Sequence, residues 1–219
     1  MTVPEGTSLC GSDLPTYGGT IDDLVVFVGL FDMDGPGGVL GRAGPCAMRS
    51  SSLLPFAGLV ELDIGDVDAL EDDGLLEDTA MHELGHVLGI GTLWTYGSHD
   101  LVEPDCPSND PESRFIGVEA TDAHELDGGI GSPYVESDGE TGTRCGHWDE
   151  DHYGHELMTG YLNRGEALAR FTIGSLADLG YDVDYGAADA YTVGAQLRGA
   201  DAGFELRDVL VDPSMFQER

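Results

Sequence analysis

The stretch His82-Glu83-Leu84-Gly85-His86-Val87-Leu88-Gly89 decides how the rest of the chain is read. Positions i and i+4 share a helix face, so the imidazoles of His82 and His86 can reach one metal ion together. Glu83 falls on the same side, where a carboxylate can act as general base towards a water at that metal. Leu76, Ala80, Leu84, Val87 and Leu88 recur at helical spacing and are expected to face the interior, leaving Thr79, His82, Glu83 and His86 on the other face. Glu77 and Asp78 fall in the first turn, where the helix dipole favours negative charge. Gly89 is placed to end the helix in a left-handed cap. Gly85 costs about 1 kcal/mol against alanine in a helix interior, which points to close packing on its side. The spacing thus predicts a helix over 76–88 carrying half of a metal site. The five-residue pattern alone also occurs in helices that bind nothing, so its meaning turns on a third ligand.

An extended H-E-x-x-H-x-x-G-x-x-H pattern would place that ligand at position 92, where this chain has Thr92. The other histidines are His99, His124, His147, His152 and His155. His147 is followed by Trp148, and Glu156-Leu157-Met158-Thr159-Gly160 comes shortly after. This conjunction resembles the leishmanolysin family of metzincin metallopeptidases. There an insertion separates the zinc helix from a third histidine, which precedes a tryptophan, and a methionine turn follows. The segment from Asp32 to Pro45 is similar to the family's stretch before its edge strand. Gly91-Thr92-Leu93-Trp94 is similar to its continuation after the zinc helix, and Thr172 to Tyr181 to its closing helix.

The resemblance implies His82, His86 and His147 as ligands of one zinc ion, Glu83 as catalytic base and Met158 as the methionine beneath the metal. It implies an α+β, metzincin-like fold with a small mixed sheet, an active-site helix, a long insertion over 91–146, a methionine turn and a C-terminal helix. Residues 1–219 are read as a single catalytic domain. Such domains normally open with a strand and a long backing helix, whereas nothing before Leu24 has helical periodicity. The chain is therefore expected to be truncated relative to the family pattern, with the backing helix, a pro-segment and an export signal upstream.

Three neutral imidazoles leave zinc a fourth position for water, whose pKa falls towards 7. Glu83 would take that water's proton and later return it to the leaving amine. Met158 would give the imidazoles an apolar floor, although a core methionine is the plainer reading of the residue alone. Tyr161 is expected to pack rather than to assist the oxyanion. Rivals for the third ligand stay open in the residues themselves. His152 and His155 lie in a polar stretch, and His124 falls in a short helix over 118–127. Glu103, Glu112 or Glu119 would make a glutamate-type site, and Cys145 is a thiolate candidate better explained by a disulfide.

Outside the site, Leu24 to Phe31 reads as a buried strand. Leu59 to Ile64 alternates and is taken as the strand bordering the substrate cleft. Thr172 to Leu179 reads as a helix capped by Thr172, with Ile173, Leu176 and Ala177 inward and Gly180 ending it. Asp32, Asp34, Asp63, Asp66 and Asp68 offer a weak calcium site without a full loop pattern. Four cysteines allow three pairings, of which Cys10 with Cys46 and Cys106 with Cys145 is expected, the second bridge bracing the insertion beside His147. No run is long enough to span a membrane, and Met1 to Pro15 has neither a basic start nor an apolar core. Disulfides and a peptidase together suit an extracellular or cell-surface protein acting as a monomer on protein or peptide substrates. The alternative function is a catalytically inactive surface or adhesion module, in which Glu83 would have no use.

The formal net charge is −33, from 42 acidic and 9 basic residues, and every basic residue is arginine. A basic face for nucleic acid is excluded. Acidic residues are spread along the chain, and their mutual repulsion opposes the compact state at low salt. Raising salt from about 0.1 M to about 1 M shortens the Debye length from ~10 Å to ~3 Å and removes most of that penalty. The composition is that of a halophilic, archaeal-type protein. The thermal unfolding midpoint should therefore climb steeply as KCl rises through that range. A midpoint indifferent to salt would remove the halophilic reading.

Overall fold

The computed structural model describes residues 1–104, 106, 112–139 and 142–195, together with the backbone of 204–205 and 217–218. The expected mixed α+β architecture is present. Strands β1 (Thr2–Thr7) and β2 (Tyr17–Thr20) form an antiparallel pair. Strands β3 (Val25–Phe31), β4 (Gly41–Met48) and β5 (Pro55–Asp63) build the main sheet. Within it β5 is interior, parallel to β3 and antiparallel to β4. Two helices follow, α1 (Ile64–Asp73) and α2 (Leu76–Leu88).

Beyond α2 the chain runs through β6 (Val102–Glu103), β7 (Arg114–Phe115), α3 (Val118–Leu126), α4 (Glu150–Tyr153), β8 (Tyr161–Leu162) and α5 (Arg170–Leu179). Backbone pairs then add β9 (Phe204–Glu205) to β8 and β10 (Gln217–Glu218) to β4. Both expected disulfides, Cys10–Cys46 and Cys106–Cys145, are present.

Three sequence expectations change. Every residue of β5 is buried, because Val60 and Leu62 pack with Val87 of α2 while Phe56 and Ala57 join Val3, Leu9 and Ile21 on the other side. Alternation is no guide in a strand covered on both faces. The strand beside the Glu83 carboxylate is instead β4, where a Cβ on Gly41 would collide with Glu83 Oε1. Strand β3 is not buried along its length: Val28 is 69% exposed and Leu30 53%, since α2 crosses β4 and β5. Helix α2 keeps Val87 inside as expected but also buries its polar face. Thr79, His82, Glu83, Gly85, His86 and Val87 are buried, whereas Leu84 and Met81 are exposed.

The acidic turns have structural work. The Asp63 carboxylate accepts the backbone N–H groups of Asp34, Gly35 and Gly65, the last as the N-cap of α1. Asp66 accepts from Gly37 N–H, and Asp34 from Val39 N–H. These bonds fasten the turn after β3 to the start of α1.

Behind the metal-facing half lies an aromatic core. Trp94, Phe115, Trp148 and Phe171 are fully buried, with Trp148 5.2 Å from Phe171 and 4.6 Å from Trp94 between ring centroids. Helix α5 packs against α3, where Gly174 lies on the backbone of Ala120, and the Asp178 carboxylate accepts the N–H groups of Glu119 and Ala120. That carboxylate caps a helix that has no side-chain cap of its own. Helix α5 starts at Arg170, two residues before the expected cap, so Thr172 lies inside it.

One glycine joins the two halves. Gly91 has φ +71°, and a Cβ there would run into Gly146 O, just before His147. Gly91→Ala should therefore cost about 2 kcal/mol or more of stability, from left-handed strain plus collision. Chemical denaturation measures this, and parent-like stability would refute the close approach.

Candidate metal centre

Helix α2 ends where its sequence stops it. Gly89 adopts φ 116°, and its N–H donates to the carbonyls of Gly85 and His86. The chain turns there, and Thr92 sends its hydroxyl to His86 O at 2.9 Å. The residue at the position of an extended-motif histidine is thus a brace on the helix end.

His82, His86 and His147 are all fully buried, and their Nε2 atoms converge. The separations are 2.9 Å for His82–His86, 3.0 Å for His82–His147 and 3.1 Å for His86–His147. Each Nδ1 faces a backbone carbonyl: His82 reaches Leu157 O at 2.7 Å, His86 reaches Ile90 O at 2.9 Å, and His147 reaches Thr143 O at 2.7 Å. A carbonyl only accepts, so every Nδ1 is the protonated nitrogen and every Nε2 presents its lone pair inward. Three acceptors aimed at one point form a donor set for a cation. Two nitrogens at ~2.0–2.1 Å from a tetrahedral zinc stand roughly 3.3 Å apart, a few tenths of an ångström wider than seen here. The ring-nitrogen chemistry, burial and backbone partners all fit a divalent ion, and this trio is the cluster suited to a metal among the described residues.

The rest of the environment is assembled by close packing. A Cβ on Gly85 would lie 2.6 Å from Met158 Sδ, which explains the glycine within the helix. Met158 is 1% exposed, and its carbonyl accepts the Trp148 N–H at 2.9 Å. The segment carrying His147 is thereby paired with the methionine turn. Trp148 anchors the same segment in the aromatic core, and Cys145 ties it to Cys106. Glu83 is fully buried beside His82 and against Gly41 of β4.

The rivals lie elsewhere. His152 is exposed and bonded to the Asp149 carboxylate, while His155 faces Arg164 O. His124 lies on α3 as expected, buried between Gly131 O and the Tyr153 hydroxyl; burial lowers its pKa. Glu103, Glu112 and Glu119 are exposed, and Cys145 is in its disulfide. Tyr161 opens β8 and is half-buried.

The sequence profile of the leishmanolysin family matches residues 8–201. The chain belongs to the leishmanolysin family. It is thus a member of a metallopeptidase family with a three-histidine group able to hold a metal ion. A search of curated proteins gave no match.

Two features of this leishmanolysin-family site were not legible in the motifs. The Gly91–Gly146 approach pairs two residues far apart in sequence, and nothing local marks it. Glu156, just before the methionine turn, is fully buried and accepts from Met158 N–H, Ala169 N–H and the Thr172 hydroxyl. Burial raises its pKa to about 7 against those three bonds. A charged residue next to an apolar pair was the available signal.

Past the turn, Glu166 has its pKa pushed up to about 9, first by burial and then against the Asn163 N–H bond. Its Oε2 is buried with no hydrogen-bond partner. The folded state binds this proton more tightly than the unfolded chain, whose carboxyl titrates near 4.5. The stabilisation is complete below that value and is lost as pH rises towards 9. Glu166→Gln should flatten stability over this interval and be more stable than the parent at pH 8. An unchanged pH–stability curve would contradict the burial of the carboxyl.

Proposed function

We propose that the chain is a secreted, zinc-dependent endopeptidase formed as one catalytic domain, with 91–146 an insertion between the active-site helix and the third ligand. His82, His86 and His147 hold the ion in this reading, Glu83 is the base, and Met158 lies beneath the site. The observation that carries it is the convergence of three buried imidazole nitrogens beside a buried carboxylate and strand β4. Zinc, when bound there, supplies Lewis acidity to the scissile carbonyl and to the attacking water.

The chain's own residues do the rest. An extended peptide adds to β4 along Gly41–Gly44, clear of the Ala47–Met48 end that pairs with β10, and the strand's backbone fixes the register of the bond to be cut. Gly41 leaves room for the Glu83 carboxylate next to that strand. Glu83 accepts the proton of the attacking water on its carboxylate and returns it to the amine nitrogen as the C–N bond breaks. The three Nδ1–H bonds hold the imidazoles in the tautomer the site requires. The two disulfides, and the lack among the described residues of a helix long and apolar enough to cross a membrane, are compatible with an extracellular protein.

Casein hydrolysis in high salt should be abolished by a chelator and restored by zinc. Glu83→Gln should lower kcat by a factor of about 10² to 10⁴ with metal content unchanged. His147→Ala should lose zinc by elemental analysis. Parent-like cleavage by Glu83→Gln would refute the base, and undiminished zinc in His147→Ala would refute the third ligand. Stoichiometric zinc without hydrolysis would turn the reading to a surface or adhesion module.

A further inference from the structure

The Glu156 carboxylate lies at the meeting point of three segments. Oε2 accepts the Met158 N–H at 2.7 Å, and Oε1 accepts the Ala169 N–H at 3.1 Å at the start of α5. Oε1 also accepts the hydroxyl of Thr172, whose oxygen in turn accepts Trp148 Nε1–H at 2.8 Å. The Met158 and Thr172 arms lead to the three histidines. Leu157, between Glu156 and Met158, provides the carbonyl that receives His82 Nδ1–H. Trp148 follows His147 directly and pairs through its own N–H with Met158 O.

A fully buried carboxylate is costly to keep in an apolar core. A merely packed position would be filled as well by glutamine or methionine. Here three donors, one in the methionine turn and two at the start of α5, point at one side chain, and only a carboxylate accepts on both oxygens at once. Glutamine has one acceptor oxygen. Its amide must therefore face either Met158 N–H or the Thr172–Ala169 pair, donor against donor.

We infer that Glu156 is a positioning residue of the metal centre, holding the carbonyl that orients His82 and, through Thr172 and Trp148, the segment that carries His147. The inference rests on the zinc-peptidase reading and deepens it: Glu156 touches no reacting atom. It sets the geometry of two ligands that lie on different elements and are 65 positions apart in the chain.

The test compares zinc affinity by chelator competition, and the visible spectrum of the cobalt(II)-substituted protein, in the full chain and in Glu156→Gln. The variant should weaken zinc by about tenfold or more, the usual effect of removing a partner that orients a ligand. Its cobalt bands should shift, and with saturating zinc kcat should fall more than KM changes. Phe56→Leu, in the core beside β1 and β2, is the control for lost stability. It should lower the unfolding midpoint with affinity and cobalt spectrum unchanged. Glu156→Gln with parent affinity and spectrum overturns the inference, as does a loss of affinity that Phe56→Leu reproduces at equal midpoint. Should Glu156→Gln fail to fold, Thr172→Val tests the same relay with the Met158 bond retained. A several-fold loss of affinity supports the inference, and parent-like binding overturns it. If the parent protein itself takes up no zinc, the zinc-peptidase reading fails first.

Discussion

The three bonds from imidazole Nδ1–H to backbone carbonyl are the constraint on which the rest of the structure depends. Without them each ring could rotate or change tautomer, and the inner nitrogens would not share one point. The accepting carbonyls come from three places: Ile90 at the end of α2, Thr143 in the insertion and Leu157 in the methionine turn. Each of those segments must therefore be fixed by packing of its own. Gly89 and Thr92 fix the helix end, and the Cys106–Cys145 bridge with the Gly91–Gly146 approach fixes the insertion. Trp148 and Glu156 fix the turn. Much of the second half of the chain is explained by the need to hold three oxygens still.

What could be read in the sequence divides along a physical line. Local rules located α2 and its glycine cap, because hydrogen bonding within a helix depends on neighbouring residues. The pairing of His147 with His82 and His86 came from the resemblance to a family, since no propensity links residues across such a gap. Burial was harder to read. The face of α2 bearing Leu84 looked internal, yet the histidine-bearing face is the more deeply buried one, because the polar side chains converge inside the protein while periodicity counts only apolar atoms. Strand β5 was mistaken for a border because its covering layers come from remote segments. Thr172 looked like a helix cap, and its hydroxyl instead serves Glu156 and Trp148.

The charge of the chain sits beside this interior without entering it freely. Glu156 and Glu166 are raised well above ordinary carboxyl values by burial, whereas Asp63 is held low by backbone N–H donors. Nine arginines cannot pair with 42 carboxylates, and ion pairs such as Arg170–Asp127 and Arg164–Asp73 neutralise few of them. The surface therefore depends on counterions, and the interior depends on donors supplied by the backbone.

The bridge between Cys106 and Cys145 has a topological consequence. A metal joining His86 to His147 is a cross-link, and a cross-link costs chain entropy according to the loop it closes. The cysteines lie inside that loop, so once they are joined the path from one histidine to the other shrinks from about 60 residues to about 22, easing closure by roughly 1 kcal/mol. The two closures are nested, and the inner one favours the outer. The benefit is reciprocal, so the bridge and any ion held by the three histidines support one another.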